Sequence, residues 1–206
     1  NQQQCEAYGY KYDTTTGVCK AFTTSVNLDK NINNTANTIR GSQNVTEKGT
    51  NNTLVFGESN TIKGFSRNNI VAGNNNEISN GVNNTYVYGT LAQSTADNSI
   101  VLGGNAPNDL LAERQSIQLI YGTQTTAGGT VDSYLNNVTD SFFVIPDNTI
   151  MYFHADVVAV RVGGTNTGNT GDFASFVERG VVINKSGTLS ISRERDAIKS
   201  SGTVTD

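Results

Sequence analysis

Residues 51–90 read NNTLVFGESNTIKGFSRNNIVAGNNNEISNGVNNTYVYGT, in which a short apolar run follows an asparagine and precedes a glycine three times. The glycines Gly57, Gly73 and Gly89 are 16 residues apart, and Gly41 and Gly103 extend the series with spacings of 16 and 14. A β-branched residue stands two positions before each glycine, and an asparagine stands five positions before the last four. These columns are Ile39, Val55, Val71, Val87, Val101 and Asn52, Asn68, Asn84, Asn98.

A repeat of this length predicts a β-solenoid. A unit of about 16 residues is too short for a helical hairpin or a propeller blade. It suits a coil of short strands joined by turns, because glycine and asparagine adopt positive φ at little cost. We predict a parallel β-solenoid over residues 35–105, with repeat turns at Gly57, Gly73, Gly89 and Gly103.

Each strand of the repeat is apolar on both faces. Strand side chains alternate, so the residues three and one positions before the glycine face away from the valine two positions before it. Such a strand is typically buried on both sides, whereas a narrow solenoid buries only one. We therefore predict that the second face is buried between copies of the chain. Its residues are Leu54, Phe56, Ile70, Ala72, Tyr86, Tyr88, Ile100 and Leu102.

The runs NNTLVFGESNTIKG and NNTYVYGT resemble the head repeats of trimeric autotransporter adhesins and related repeats in bacteriophage tail fibres. In those families three chains wind parallel left-handed β-rolls around one axis, so the resemblance implies a homotrimer. This chain departs from the adhesin repeats in its 16-residue spacing and in carrying asparagine where they favour alanine. Because of these differences, the repeat alone does not decide between a phage fibre and a bacterial adhesin.

The 16-residue period ends after Gly104, and longer strand patterns follow. We predict one helical turn in NAPNDLLAERQ as a cap, and then a compact antiparallel β-sandwich over residues 106–194. Residues 195–206 are expected to form a tail, with RERDAIK (193–199) either solvated or a short exit helix. Residues 140–193 contain the runs VIPDNTIMYFHADVVAVRVGG and GDFASFVERGVVINKSGTLSI. This pattern resembles the C-terminal domains of phage tail fibres, which again implies a virion protein. The predicted strands are 116–122, 141–146, 149–162, 173–183 and 188–194.

Residues 1–34 form a separate lead-in segment in which Cys5 and Cys19 bracket an alternation of Tyr8, Tyr10 and Tyr12. The alternation predicts a strand, and the following DTTTG predicts a turn back towards Cys19. A disulfide closing this hairpin is our preferred interpretation, with free thiols and a metal site as the alternatives. The segment is also similar to short Cys-bracketed segments of fibre proteins.

Composition argues against several classes of partner. Charged residues make up 16% of the chain and the net charge is −4, so we expect no binding to nucleic acid. The sequence has no apolar stretch of the ~18–20 residues that cross a bilayer, so we expect no membrane insertion. Asparagine occurs 27 times and glycine 21 times, which is typical of a turn-rich β protein. We predict no cofactor.

We also predict no catalytic residue and no metal site. His154 is the single histidine, so the sequence has no evident nucleophile and base pair. Asp13, Asp140, Asp147 and Asp172 flank turns, where aspartate commonly caps the backbone. Asp156 is expected to pair with Arg161 or Arg179. GNNNE (73–77) could suggest calcium, but with one charged residue it favours an asparagine ladder.

The polar loop at 163–172 is the candidate receptor site, because binding residues often lie on loops. Its candidates are Asn166, Asn169 and Asp172. Our first hypothesis is a homotrimeric fibre or appendage protein of a phage virion. It would contact other virion proteins and a glycan or protein receptor on a bacterial host. The alternatives are the head of a trimeric adhesin on a bacterial surface and a glycan depolymerase.

Overall fold

The computed structural model describes residues 2–7, 11–13, 15–20, 36–104, 108–126, 131–163 and 169–201. The chain forms two compact units, Asn1–Gly122 with Tyr134–Thr139 and Thr123–Ser133 with Asp140–Asp206. The first unit contains a parallel β-solenoid and the second an antiparallel sheet, so the predicted all-β class is confirmed.

The first unit begins with a short helix and a hairpin. A disulfide joins Cys5 in the helix to Cys19 in the hairpin, as predicted. Tyr12 lies in the first strand, whereas Tyr8 and Tyr10 lie outside the described residues. The elements are α1 (Gln2–Ala7), β1 (Lys11–Asp13) and β2 (Val18–Lys20), with β1 and β2 antiparallel.

The solenoid consists of two parallel sheets. The longer strands are β3 (Thr38–Ser42), β5 (Leu54–Glu58), β7 (Ile70–Asn74), β9 (Tyr86–Thr90) and β11 (Ile100–Gly103). The two-residue strands are β4 (Val45–Thr46), β6 (Thr61–Ile62), β8 (Glu77–Ile78) and β10 (Gln93–Ser94). Each strand pairs with its equivalent in the next coil, so that Val55 lies beside Val71 and Val71 beside Val87. The repeat register read from the sequence is therefore confirmed.

The core lies between these two sheets. Val55, Val71, Val87 and Val101 are fully buried, and the second sheet contributes Ile62 and Ile78, which are also fully buried. These two rows of side chains, with Val82 and Ala92, fill the interior of the coils. In the first coil the equivalent residue, Ile39, is 42% exposed.

The glycine column is required by close contact between coils. A Cβ atom on Gly57 would lie 1.9 Å from the carbonyl oxygen of Gly73, and one on Gly73 would lie 1.8 Å from that of Gly89. Gly57, Gly73 and Gly89 have φ between 101° and 127°, which L side chains rarely adopt. Gly103 differs, because its φ is outside this range. It still has no room for a side chain, since its Cβ would lie 2.4 Å from the carbonyl oxygen of Thr90.

An antiparallel strand ends the parallel stack. Residues 108–114 form turns, so the predicted helical turn is wrong among the described residues; Asn108 and Ala112 have positive φ, which a right-handed helix excludes. The strand β12 (Gln115–Gln118) then pairs with β11. Residues 115–118 therefore belong to the solenoid sheet and not to the next domain. β13 (Tyr121–Gly122) and β14 (Tyr134–Leu135) form a further antiparallel pair.

The second unit contains the long strands β15 (Thr149–Val160), β16 (Phe173–Lys185) and β17 (Thr188–Ser200), in that spatial order. Its antiparallel character is confirmed, although its described residues form one three-stranded sheet and not two packed layers. Residues 141–146 adopt no strand, contrary to the prediction; Pro146 there lacks the N–H that a ladder needs. Residues 195–200 continue β17 because they pair with β16, so the predicted tail or exit helix is wrong at these positions.

Candidate self-assembly surface

The solenoid presents an apolar surface on one side, which we call the outer face. It consists of the side chains three and one positions before the repeat glycine in the second to fifth coils. Its large side chains are 40–52% exposed; they are Phe56, Tyr86, Tyr88, Ile100 and Leu102. The valine between each pair is fully buried, so the side chains alternate between core and surface as the sequence predicts. The remaining members, Leu54, Ile70 and Ala72, are half-buried.

Strand pairing arranges the outer face in two straight rows. Leu54 pairs with Ile70, and Ile70 with Tyr86, while Phe56 pairs with Ala72 and Ala72 with Tyr88. Neighbouring strands are about 4.8 Å apart, so side chains within a row touch and leave a continuous apolar strip. In the first coil the equivalent positions hold Thr38 and Arg40, so the strip becomes polar at that end.

A groove borders the first of these rows. It is open, has a volume of about 440 Å³ and could receive side chains from a second molecule. Its lining includes Leu54, Ile70 and Tyr86 on one side and Asn52 and Asn68 on the other.

Asparagine ladders hold the coils in register beneath and beside the outer face. The exposed ladder runs from Asn52 to Asn68, Asn84 and Asn98, with each Nδ2 donating to the next Oδ1 at 2.9–3.0 Å. All four residues have φ of 49–56°, as predicted for the turn asparagines. Because each amide bonds to its neighbour, the ladder fixes the spacing of the rows.

A second, buried ladder lies on the other side of the repeat glycine. Asn60 Nδ2 donates to Asn44 Oδ1 at 2.9 Å, and Asn76 Nδ2 donates to Asn60 Oδ1 at 3.0 Å. Asn60 and Asn76 also donate to the glycine carbonyls of the next coil, Gly73 and Gly89. These amides satisfy backbone groups that would otherwise be buried without partners. The ladder predicted for GNNNE is thus present at Asn76.

Glu77, the charged residue of GNNNE, lies in an ion pair. Its Oε1 is 2.9 Å from Lys63 Nζ and accepts a hydrogen bond from Gln93 Nε2 at 2.7 Å. The hydrogen bond and the charge of Glu77 raise the pKa of the Lys63 ammonium. Within the described ranges, no three His, Cys, Asp or Glu side chains gather at a point where they could hold a metal.

The candidate residues of the second unit occupy separate positions. His154 Nε2 lies 3.3 Å from Asp156 Oδ1 on the same strand, while Arg179 pairs with Glu194 and Asp196. Of the two partners predicted for Asp156, Arg179 is therefore wrong, and Arg161 stays a prediction. The Arg179 guanidinium donates instead to Glu194 and Asp196 on β17, whereas Asp156 lies on β15.

The predicted receptor loop is described only in part. Asp172 Oδ2 accepts a hydrogen bond from Asn169 N at 2.6 Å, and Asp172 N donates to Asn169 O at 3.0 Å. These reciprocal bonds form a tight turn, which agrees with the turn chemistry expected of this aspartate. Asn166 lies outside the described residues, and receptor binding at this loop stays a prediction.

Sequence reasoning missed the exposed apolar side chains of β15 and β16. Ile150, Tyr152 and Val158 are 65–72% exposed, more than any member of the outer face. The signal was present in TIMYFHADVVAV, which is apolar at both odd and even positions. Because we expected a second sheet to pack on this one, we did not predict that these side chains would be exposed.

Comparison with known proteins adds no identification. No protein family, curated protein or solved structure matches the chain. In the parts of the chain that the structure describes, no helix has the length and apolar character needed to cross a membrane.

Proposed function

We propose that this chain is a non-enzymatic structural segment of a homotrimeric fibre, and that the outer face of the solenoid is the core of the trimer. The exposed outer face carries the proposal. Five large apolar side chains, 40–52% exposed, stand in two straight rows along a rigid stack. A contiguous apolar strip of this kind marks a protein interface.

The number of copies rests on the resemblance to trimeric adhesin heads and phage fibres, in which three rolls share one axis. Identical chains suit this arrangement, because the rows of one copy present the same spacing of about 4.8 Å as those of the next. The polar positions Thr38 and Arg40 at the first coil favour a parallel alignment, since an antiparallel one would place Arg40 against the apolar end of a neighbour.

The biological role that fits best is an appendage of a bacteriophage virion that contributes to attachment at the host surface. Two features support it: a rod whose length is set by the number of coils, and the likeness of residues 140–193 to fibre C-terminal domains. In this role the chain contacts other virion proteins and a glycan or protein receptor on a bacterium. The head of a bacterial surface adhesin and a glycan depolymerase are the rival roles.

The solution mass tests the assembly. We expect light scattering to give three times the 22.0 kDa of one chain, with and without a reducing agent. Phe56→Glu places a charge on the outer face and should dissociate the trimer. Phe65→Glu is the matched control, since Phe65 is 58% exposed but lies in a turn of the same coil. A wild-type monomer, or equal effects of the two variants, would refute the proposal.

The biological role needs a separate experiment. Antibodies raised against the purified chain should label phage particles in electron micrographs. Labelling of bacterial envelopes alone would support the adhesin instead. Release of reducing sugars from host capsule by the purified trimer would support the depolymerase and contradict a purely structural role.

A further inference from the structure

The three-stranded sheet of the second unit carries a large apolar surface, which we call the open face. Its side chains are 37–72% exposed. Pairing places them together, because Ile150 lies opposite Ile183 and Tyr152 opposite Val181. With alternating side chains, Val158 and Val160 share this face. The full set is Ile150, Tyr152, Val158, Val160, Val181 and Ile183.

A polar band crosses the open face between its two apolar ends, and its arginine, Arg179, is paired within the chain. Arg179 Nε lies 2.6 Å from Glu194 Oε1, and Arg179 Nη2 lies 2.8 Å from Asp196 Oδ2. The two carboxylates raise the pKa of the guanidinium, chiefly through the hydrogen bond to Glu194. His154 Nε2 also lies 3.3 Å from Asp156 Oδ1 in this band. Since Arg179 already has two partners in its own chain, covering the band does not leave this cation unpaired.

The opposite face of the sheet is different, because its own unit covers part of it. Asn184, 7% exposed, donates from Nδ2 to the backbone oxygen of Ile145 at 2.8 Å, and Val182 beside it is 8% exposed. Further along, Glu178 accepts hydrogen bonds from Arg193 and Arg195. Burial opposes the ionisation of Glu178, but the two arginines outweigh it and hold the pKa of this carboxyl below its usual value. The opposite face is thus covered in part, at Val182 and Asn184, whereas Ile191 on the same face stays 59% exposed.

We propose that the open face is a second self-association surface, occupied by the same face of the other copies in the assembly. The inference rests on the proposed trimer, which places identical sheets in one particle. With about 100 Å² exposed for each of six apolar side chains, the face offers about 600 Å² per chain, close to the roughly 800 Å² per partner of a specific interface.

The chemistry of the face favours a copy of itself over a charged partner. Its apolar ends are matched by the apolar ends of a copy, and the arginine of its band is already bound by two acids of its own chain. A nucleic acid or an anionic glycan would need unpaired cations, which this band does not offer in Arg179.

Photo-cross-linking of the full chain tests the proposal. A benzophenone amino acid replaces Tyr152 on the open face, Ile191 on the opposite face, or Tyr88 on the outer face of the solenoid. Ile191 is the matched control because it is 59% exposed in the same sheet. Denaturing gels then count the covalent products between chains. We expect such products at Tyr152 and Tyr88 and a yield at least fivefold lower at Ile191.

The outcomes separate the two proposals. Products at Tyr88 but not at Tyr152, or equal yields at Tyr152 and Ile191, would overturn the second surface and leave the trimer intact. The absence of products at both Tyr88 and Tyr152 would overturn the trimer and the inference together. A second measurement compares amide hydrogen exchange in variants that keep the solution mass of the wild-type assembly. Ile150→Arg should speed exchange in β15 and β16, whereas Ile191→Arg should not. Equal exchange in the two variants would also overturn the second surface.

Discussion

Replacing Asn76 with alanine is expected to destabilise the solenoid much more than replacing Asn74, although both asparagines lie in the same coil. Asn76 is 1% exposed, whereas Asn74 is on the surface. The Asn76 side chain donates to Asn60 Oδ1 at 3.0 Å and to Gly89 O at 2.9 Å, and it accepts from Ala92 N at 2.9 Å. Asn74 Oδ1 accepts one exposed bond, from Glu58 N at 3.1 Å.

The magnitude follows from these contacts. Ala92 is fully buried, so its N–H would be left without its acceptor, at about 1–3 kcal/mol. Losing the two donated bonds adds about 0.5–1.5 kcal/mol each, for a total of about 4 kcal/mol. The exposed bond of Asn74 can be replaced by water, so Asn74→Ala should change the free energy of unfolding by about 0.5 kcal/mol or less.

Urea unfolding, followed by far-ultraviolet circular dichroism, measures the difference. All variants are compared at one protein concentration, because the stability of an oligomer depends on it. Hydrogen exchange at the Ala92 amide reports the solenoid separately from the second unit. A loss below about 1 kcal/mol for Asn76→Ala, or an unchanged exchange rate at Ala92, would show that the buried ladder is not a major source of stability.

Three further predictions follow from other contacts. Gly73→Ala should lower the free energy of unfolding in urea by several kcal/mol, because its Cβ would meet a backbone oxygen. Gly81 also has positive φ but has open space around it, so Gly81→Ala should lower the free energy by only about 1 kcal/mol. Equal losses in the two variants would contradict this reasoning. Reducing the Cys5–Cys19 disulfide removes a constraint of about 3 kcal/mol on the hairpin and should speed its proteolysis without changing the solution mass. Glu178 has a lowered pKa in the folded state, so its contribution is present above its unfolded pKa of about 4.3 and is lost as the pH falls through the folded value. Glu178→Gln should therefore reduce the loss of stability between pH 6 and pH 3, and an unchanged slope would contradict the pairing.

The solenoid was predictable because its residues are selected by backbone geometry. Gly57 and Gly73 stand where no side chain fits, and Asn68 and Asn84 stand where φ is positive, so the requirement appears as a column in the sequence. The alternation around Val71 then identifies the buried and exposed faces. Each of these constraints acts within one coil or between adjacent coils, where the sequence separation is constant.

Other features were not predictable because they depend on which segments meet. Nothing in residues 115–118 reveals that they turn back along β11, since their composition suits any strand. Residues 141–146 have strand-like composition but adopt no strand, whereas 195–200 have tail-like composition and pair with β16. The partners of Arg179 likewise depend on the register between β16 and β17, which places Glu194 opposite Arg179. Composition does not determine that register.

The two ends of the solenoid are unequal. At the last coil β12 covers the edge of the longer sheet, and Val101 is fully buried. At the first coil Ile39 is 42% exposed, although the equivalent Val55 is fully buried. The covering strand runs antiparallel to the stack, so it interrupts the parallel repeat at that end. Within the described residues, the first coil therefore presents the edge at which a further parallel strand could pair.

In both units, the strands bury apolar side chains on one face and leave apolar side chains exposed on the other. In the second to fifth coils of the solenoid, the longer strand buries Val71 or its equivalent and leaves Tyr88 or its equivalents partly exposed. In the second unit, the sheet buries Val182 and leaves Tyr152 exposed. Strands that are apolar on both faces need cover on both, and one chain supplies it on one. The uncovered surfaces belong to the most regular elements of each unit, so they are rigid before any association. In the proposed assembly, identical copies that meet there would lose little conformational entropy, which favours association through flat strands over association through loops.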